Sequence, residues 1–158
     1  MPTLTNCLWF DRDGEAAAEL YTSVFPNSRI LAVSHHGEAG PRDADLVLTV
    51  EFELDGVRFV ALNGGPDFTF NEAVSFQIEC DSQDEIDHYT DKLTAGGGEQ
   101  GPCGWIKDRF GVSWQVMPRV MKQLLADDAP AKDRVMAAMM GMRKLDVAAL
   151  EDAAKVAA

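Results

Sequence analysis

The chain of 158 residues lacks most of the features that mark specialised protein classes. No run approaches the roughly 18 consecutive apolar residues that a membrane-spanning helix needs, and residues 1–10 have neither the basic segment nor the long apolar segment of a secretion signal. The three cysteines, Cys7, Cys80 and Cys103, have no CxxC spacing and indicate neither a disulfide framework nor a zinc knuckle. These absences predict a cytoplasmic protein that folds without cross-links.

Positive charge is also scarce, because 14 Lys and Arg residues stand against 26 Asp and Glu residues, for a formal net charge of -12. Such a surface repels phosphate backbones and anionic lipid heads, so we expect neither a nucleic-acid nor a membrane partner. The composition, 46% hydrophobic and 25% charged, is that of a globular domain and excludes a disordered or fibrous chain.

Apolar spacing and turn residues predict the same order of elements twice, strand, helix and then further strands. In the first half we expect strands over 4–10, 28–34, 46–54 and 57–62 and a helix over 15–25, which Asp13 would cap. Asp55-Gly56 predicts a type I′ hairpin turn. In the second half we expect strands over 74–80, 101–107 and 112–117 and a helix from Asp81 or Ser82 to Ala95.

The two halves align with each other, which supports a duplication. One offset aligns Tyr21-Thr22 with Tyr89-Thr90 in the two helices, and a second aligns Gly56 with Gly111 in the last hairpins. Past Met117 the pattern becomes helical, with helices expected from Pro118 to 126, from Pro130 and over 147–156. This tail is either frayed or an arm that packs on the partner of a dimer.

Six segments of the chain are distinctive: LWFD (8–11), LNGGP (62–66), FNEA (70–73), VSF (74–76), CGWIKDRFGVSWQVMP (103–118) and MRKLD (142–146). Together they resemble the PhnB-like family, also called 3-demethylubiquinone-9 3-methyltransferase-like, of the vicinal oxygen chelate superfamily. The resemblance implies an α+β fold of two βαβββ modules, each a curved mixed sheet as in glyoxalase, usually in a homodimer. The expected domains are a glyoxalase-like domain over 1–117, with modules 1–65 and 66–117, and C-terminal helices over 118–158.

In metal-using members of that superfamily a divalent cation binds in the pocket and stabilises an anion formed from the substrate. The resemblance places the four ligand positions on Asn6, Val60, Val74 and Gln115. Two valines cannot donate to a metal, and neutral amides alone are poor ligands for a divalent ion. We therefore expect no metal and no other cofactor at that position.

A mainly apolar pocket for a small organic ligand remains as the expected site. Because residues two apart along a strand share a face, we expect eleven residues to line or border it: Asn6, Leu8, Phe10, Val60, Leu62, Phe76, Trp105, Asp108, Ser113, Gln115 and Met117. Alternatively, Leu8, Val60 and Leu62 are core residues and Asp108 is a turn residue.

Three functions are consistent with the sequence, and whether the protein is an enzyme stays open. The first is a small-molecule binding protein without the usual metal. The second is a metal-assisted enzyme of the glyoxalase or dioxygenase type. The third is the methyl transfer of the family name, but neither the glycines at 37 and 40 nor those at 96–98 lie between a strand and a helix, as a methyl-donor loop requires. No nucleophile with an adjacent base is recognisable, and Asp11, Asp13 and Asp108 are equal candidates for a general base.

Overall fold

The computed structural model describes residues 1–155, which divide into two compact units, one over Met1–Phe70 and one that begins at Asn71. The units divide a few residues beyond the expected module end at Gly65. Edge-to-face ring pairs, Trp9 with Phe68 and Phe10 with Phe70, hold the intervening segment on the first unit.

The first unit is a four-stranded sheet covered by one helix. Its strands order as β1-β4-β3-β2, with β1 parallel to β4 and the other pairs antiparallel. The elements in chain order are β1 (Asn6–Phe10), α1 (Gly14–Val24), β2 (Arg29–His35), β3 (Val47–Leu54) and β4 (Val57–Asn63).

Its core lies between α1 and the sheet, where Tyr21 and Phe52 are fully buried. Asn63 fixes the start of the helix, because its Oδ1 accepts a hydrogen bond of 2.8 Å from the Gly14 amide and its Nδ2 donates to the Val47 carbonyl. Asp13 occupies the N-cap position of α1 as expected, but its side chain makes no capping hydrogen bond.

The second unit repeats this order of strands as β5-β8-β7-β6, with β5 parallel to β8. Three short helices follow. The elements are β5 (Ser75–Cys80), α2 (Gln83–Thr94), β6 (Glu99–Gln100), β7 (Trp105–Lys107), β8 (Ser113–Pro118), α3 (Met121–Leu124), α4 (Lys132–Met140) and α5 (Val147–Lys155).

Local chemistry accounts for the turns and caps of both units. Asp55 and Gly56 have φ values of 43° and 84°, as a type I′ turn requires. The Ser82 hydroxyl accepts from the Glu85 amide and caps α2. Pro118 was expected to begin a helix, but it ends β8 opposite Cys80, and α3 begins three residues later.

The C-terminal helices are part of the second unit's core, at least through residue 155. Met121, Ala131, Val135, Leu145 and Leu150 form one buried cluster, and Gln83 of α2 joins the tail through hydrogen bonds with the Leu145 carbonyl and the Val147 amide. The described tail is therefore not frayed; residue 156 of the expected last helix lies outside the described residues. Within residues 1–155 no helix is long and apolar enough to cross a bilayer.

Candidate functional site

Strand register in the first unit separates the predicted pocket residues onto two faces of the sheet. Asn6, Leu8 and Phe10 pair with Phe59, Ala61 and Asn63 of β4, whose side chains lie under α1. Val60 and Leu62 pair instead with Cys7 and Trp9, on the face that turns away from α1. The sequence-based expectation that all five share one face was therefore wrong, because the alternation of side chains along β1 is shifted by one residue. Leu8 and Phe10, 6% and 4% exposed, are core residues.

In the second unit the register collects most of the predicted residues on the face that turns away from α2, which we call the distal face. Phe76 is the exception, because it pairs with Trp114 on the buried face. The distal face comprises Ser75, Gln77, Glu79, Trp105, Lys107, Ser113, Gln115 and Met117.

Neutral polar side chains form a connected row across the middle of this face. The Gln115 amide donates to Ser75 Oγ at 2.8 Å, and the Gln77 amide donates to Gln115 Oε1 at 3.3 Å. Gln115 is thus held in a fixed orientation by its neighbours on β5. Sequence reasoning missed Gln77 because it counted β5 from Val74, a residue that precedes the strand and is 68% exposed.

A cavity of about 310 Å³ lies at the β6–β7 end of this unit. Its lining combines apolar carbon with a few polar groups, as small-molecule sites do. The lining residues are Glu72, Glu99, Gln100, Gly101, Pro102, Trp105, Ile106, Lys107 and Ser113.

The Ser113 hydroxyl is the distinctive polar group of the cavity. The residue is 2% exposed, and within residues 1–155 its Oγ has no hydrogen-bond partner. An unpaired buried hydroxyl costs about 1–3 kcal/mol of stability, so such groups are rare in folded proteins. Ser113 therefore offers a hydrogen bond that the fold itself does not use.

Lys107 and Glu72 form an ion pair on the cavity wall. The hydrogen bond to Lys107 lowers the pKa of the Glu72 carboxyl, and the same contact raises the pKa of the Lys107 ammonium. Both groups are therefore charged at neutral pH. No local sequence pattern indicates this pair, because the two residues are far apart along the chain and meet only once β7 has formed.

Asp108 belongs to the turn between β7 and β8. Its Oδ1 accepts from the amides of Phe110 and Val112, and its Oδ2 accepts from the Trp114 indole at 2.9 Å. The residue is 2% exposed. These contacts match the turn role that the sequence left open, and the carboxylate does not line the cavity.

The positions at which the resemblance implies metal ligands do not fit a divalent cation. In the first unit Asn6 and Val60 lie on opposite faces of the sheet, and moving one residue along β1 brings Cys7 opposite Val60. In the second unit the same shift replaces Val74 with Ser75, beside Gln115. One thiol, one hydroxyl, one amide and one valine include no carboxylate and no imidazole, the donors that such ions prefer. Among residues 1–155 no group of three or more His, Cys, Asp or Glu side chains could hold a metal ion.

The repeated βαβββ order and the two mixed sheets define the glyoxalase-like class of the vicinal oxygen chelate superfamily. Residues 2–117 match the family model described as 3-demethylubiquinone-9 3-methyltransferase. The chain belongs to this family.

Two solved structures are similar to this chain, the first in sequence and fold and the second in fold alone. A Bacillus cereus protein described as a putative 3-demethylubiquinone-9 3-methyltransferase, PhnB protein, is 31% identical over 73% of this chain and 99% of its own, with a TM-score of 0.65. A Pseudomonas aeruginosa protein is 20% identical over 75% of this chain and 98% of its own, with a TM-score of 0.62.

A more distant likeness concerns the fold alone. A mutant of the fosfomycin resistance protein FosX from Listeria monocytogenes, complexed with Mn(II) and 1S,2S-dihydroxypropylphosphonic acid, is 19% identical over 79% of this chain and 98% of its own, with a TM-score of 0.53. No functionally curated protein matches the chain.

Proposed function

We propose that this protein binds a small organic molecule in the cavity of its second unit and does so without a divalent metal. The observation that carries the proposal is the unpaired hydroxyl of Ser113 beside the cavity of about 310 Å³. Cavities of roughly 300–1,000 Å³ with apolar walls and few polar groups are typical of small-molecule sites. A ligand that hydrogen-bonds Ser113 Oγ would supply the partner that the fold omits.

The residues at the positions where the resemblance implies metal ligands support binding without a metal. Valine, serine, glutamine and cysteine stand where ligands would be needed, so a metal-assisted enzyme is the weaker alternative. Recognition instead rests on shape, on Trp105 and on the hydroxyl of Ser113.

Methyl transfer, the activity in the family's name, has less support. The three strand-to-helix connections of residues 1–155 are residues 11–13, 81–82 and 119–120. They contain no glycine, so none forms a glycine-rich loop that admits a cofactor's close approach. Gly96, Gly97 and Gly98 follow α2 and precede β6. Stabilisation of the protein by micromolar S-adenosylmethionine would restore this alternative.

The test is a fragment screen by 1H–15N NMR in the presence of EDTA, with Ser113→Ala as the diagnostic variant. We expect fragments to shift the amide resonances of Trp105, Lys107 and Ser113. Ser113→Ala should lower the affinity of hydrogen-bonding fragments about tenfold and raise the free energy of unfolding by about 1 kcal/mol, because it removes an unpaired hydroxyl.

The matched control is Ser34→Ala in the first unit, where the hydroxyl is exposed and hydrogen-bonded to Thr49 at 2.6 Å. It should leave fragment affinity unchanged. Fragments that bind only after Mn(II) or Ni(II) is added would overturn the metal-free proposal. If no fragment shifts the resonances of Trp105, Lys107 and Ser113, binding at this cavity would be overturned.

The expected homodimer is part of the same proposal. It is supported by β2, which lies at the edge of the first sheet and leaves Ile30 and Val33 37% and 42% exposed. Light scattering after size-exclusion chromatography tests it, with Val33→Lys expected to shift the mass toward the monomer and a monomeric wild-type protein contradicting it.

A further inference from the structure

The cavity of the second unit carries one more negative than positive charge. Its ionisable lining groups are Glu72, Glu99 and Lys107. Lys107 Nζ pairs with Glu72, while Glu99 lies directly opposite Lys107 in the β6–β7 register. Two carboxylates therefore flank one ammonium, and the excess charge lies at Glu99.

This arrangement disfavours anions. An anionic ligand would have to displace Glu72 from Lys107 and would still face Glu99. It would also approach a chain of formal charge -12, whose field lowers the local concentration of anions and raises that of cations. Lys107 is consequently a neutralised wall group and not an anion receptor.

The remaining polar surface suits a cation. Trp105 lies two residues before Lys107 on β7, on the same face of the sheet, and its side chain lines the cavity. An indole ring attracts cations more strongly than the other aromatic side chains do. The lone pairs of Ser113 Oγ can accept a hydrogen bond from an ammonium group.

We infer that the cavity selects small arylalkylamines, with one ring and an ammonium group on a short side chain, in their protonated form, with the charge between Glu99 and the Trp105 ring and an N–H donated to Ser113 Oγ. The inference rests on the proposed function and names the ligand class for that site. The cavity volume of about 310 Å³ matches a single ring with a short side chain.

Three probes of nearly equal size and different charge test the class: benzylamine, benzyl alcohol and benzoate, each titrated by NMR into the full chain with EDTA at pH 7. We expect benzylamine to bind at least tenfold more tightly than benzoate, with benzyl alcohol between them. The preference should shrink as salt rises from 20 to 500 mM, because the excess charge is partly exposed.

Glu99→Gln removes the excess carboxylate and should reduce the preference for benzylamine over benzyl alcohol about fivefold. Glu38→Gln, an exposed acidic position in a loop of the first unit, is the control for overall charge and should leave that preference unchanged. Trp105→Leu should weaken benzylamine more than benzyl alcohol.

The outcomes separate the two proposals. Tighter binding of benzoate or of benzyl alcohol than of benzylamine, at the same resonances, overturns the ligand class and leaves the binding function intact. Equal reductions by Glu99→Gln and Glu38→Gln also overturn the class. If none of the three probes shifts the resonances of Trp105, Lys107 and Ser113 at millimolar concentration, the ligand class and the binding function at this cavity both fail.

Discussion

The two units share one topology and differ on the faces of their sheets that turn away from the helices. In both, the first and last strands of the repeat pair in parallel at one edge of the sheet. The helix-facing residues are mostly apolar in each unit, with Asn63 of the first unit as a buried polar residue. On the opposite face the first unit carries Cys7, Trp9, Val60 and Leu62 beside an exposed Arg58–Glu51 ion pair. The second unit carries instead the hydrogen-bonded row of Ser75, Gln115 and Gln77, together with Lys107. The repeated fold thus depends on one face, and the chemistry can vary on the other.

Strand length is the second difference. β2 and β3 have seven and eight residues, but their counterparts β6 and β7 have two and three. Shortening this edge of the second sheet leaves Gly101 and Pro102 in loop conformation between β6 and Trp105, and these residues line the cavity. The site therefore arises where the second unit departs from the first.

The largest expected contrast between the two faces is in thiol reactivity. Cys80 lies on the helix-facing side and is 1% exposed, and this burial raises the pKa of its thiol to about 12. Only about one molecule in ten thousand would then carry the thiolate at pH 8. We expect Cys7, which is exposed, to react with iodoacetamide at least a hundredfold faster than Cys80.

Mass spectrometry of peptides after timed labelling measures both rates, and labelling in denaturant provides the control in which the two rates should converge. Comparable rates in the folded protein would contradict the assignment of Cys80 to the buried face.

A core substitution should separate the stabilities of the two units. Phe52 is fully buried and stacks on Phe59 with ring centroids 5.3 Å apart. Phe52→Ala should cost about 3–5 kcal/mol of the free energy of unfolding. Leu93→Ala is the matched change in the second unit, where Leu93 is also fully buried, and should cost about 2–5 kcal/mol.

Denaturant unfolding measures the free energies of unfolding, and native-state hydrogen exchange identifies the strands and helices that each substitution destabilises. Phe52→Ala should increase exchange most in β3 and β4, and Leu93→Ala most in α2 and β8. An identical exchange pattern for both variants would contradict the division of the core into two units.

The hairpin turns should respond differently to the same chemical change. Asp108→Asn replaces one acceptor oxygen with an NH2 group, so either the Trp114 indole or the two backbone amides lose a partner. We expect a loss of about 1–3 kcal/mol. The control is Asp55→Asn in the first unit, at a φ of 43° that asparagine tolerates, and it should be nearly neutral. Equal losses in chemical denaturation would contradict the buried role of Asp108.

Much of the fold could be predicted because local chemistry determines it. Strand alternation and the Asp55-Gly56 turn each depend on a short segment of the chain. The internal alignment shows that the same order of elements occurs twice, and the two sheets follow from these features. The end of β8 could not be predicted locally. Pro118 suits the first turn of a helix as well as the end of a strand, and only its pairing with Cys80 of β5 shows that it ends β8.

The candidate site was predicted in part. Gln115 was named from the ligand position that the resemblance implies four residues after Gly111, Ser113 from alternation along β8, and Trp105 because it borders the last hairpin. The turn at 108–111 fixes the phase of β7 and β8. The first strand of each module has no such turn nearby, so its phase was wrong by one residue and placed Asn6, Leu8 and Phe10 on the wrong face. Glu72 and Glu99 were missed because their roles depend on contacts with Lys107 that no short-range pattern encodes.

The smallest expected effect is the pH dependence of the Lys107–Glu72 pair. Contact with Lys107 lowers the pKa of Glu72 below its ordinary value of 4.5, so the folded state favours the carboxylate. Its contribution to stability is present above pH 4.5 and is lost as the pH falls through the lowered pKa. Contact with Glu72 raises the pKa of Lys107 above its ordinary value of 10.5, so the contribution of the ammonium to stability is lost only as the pH rises through that raised pKa. Glu72→Gln should therefore lower Tm slightly at pH 7 and have a diminishing effect on Tm below pH 4.

Glu51→Gln, at the exposed Arg58 pair of the first unit, is the comparison, and a difference that persisted unchanged to pH 2 would show that Glu72 acts through packing and not through its charge.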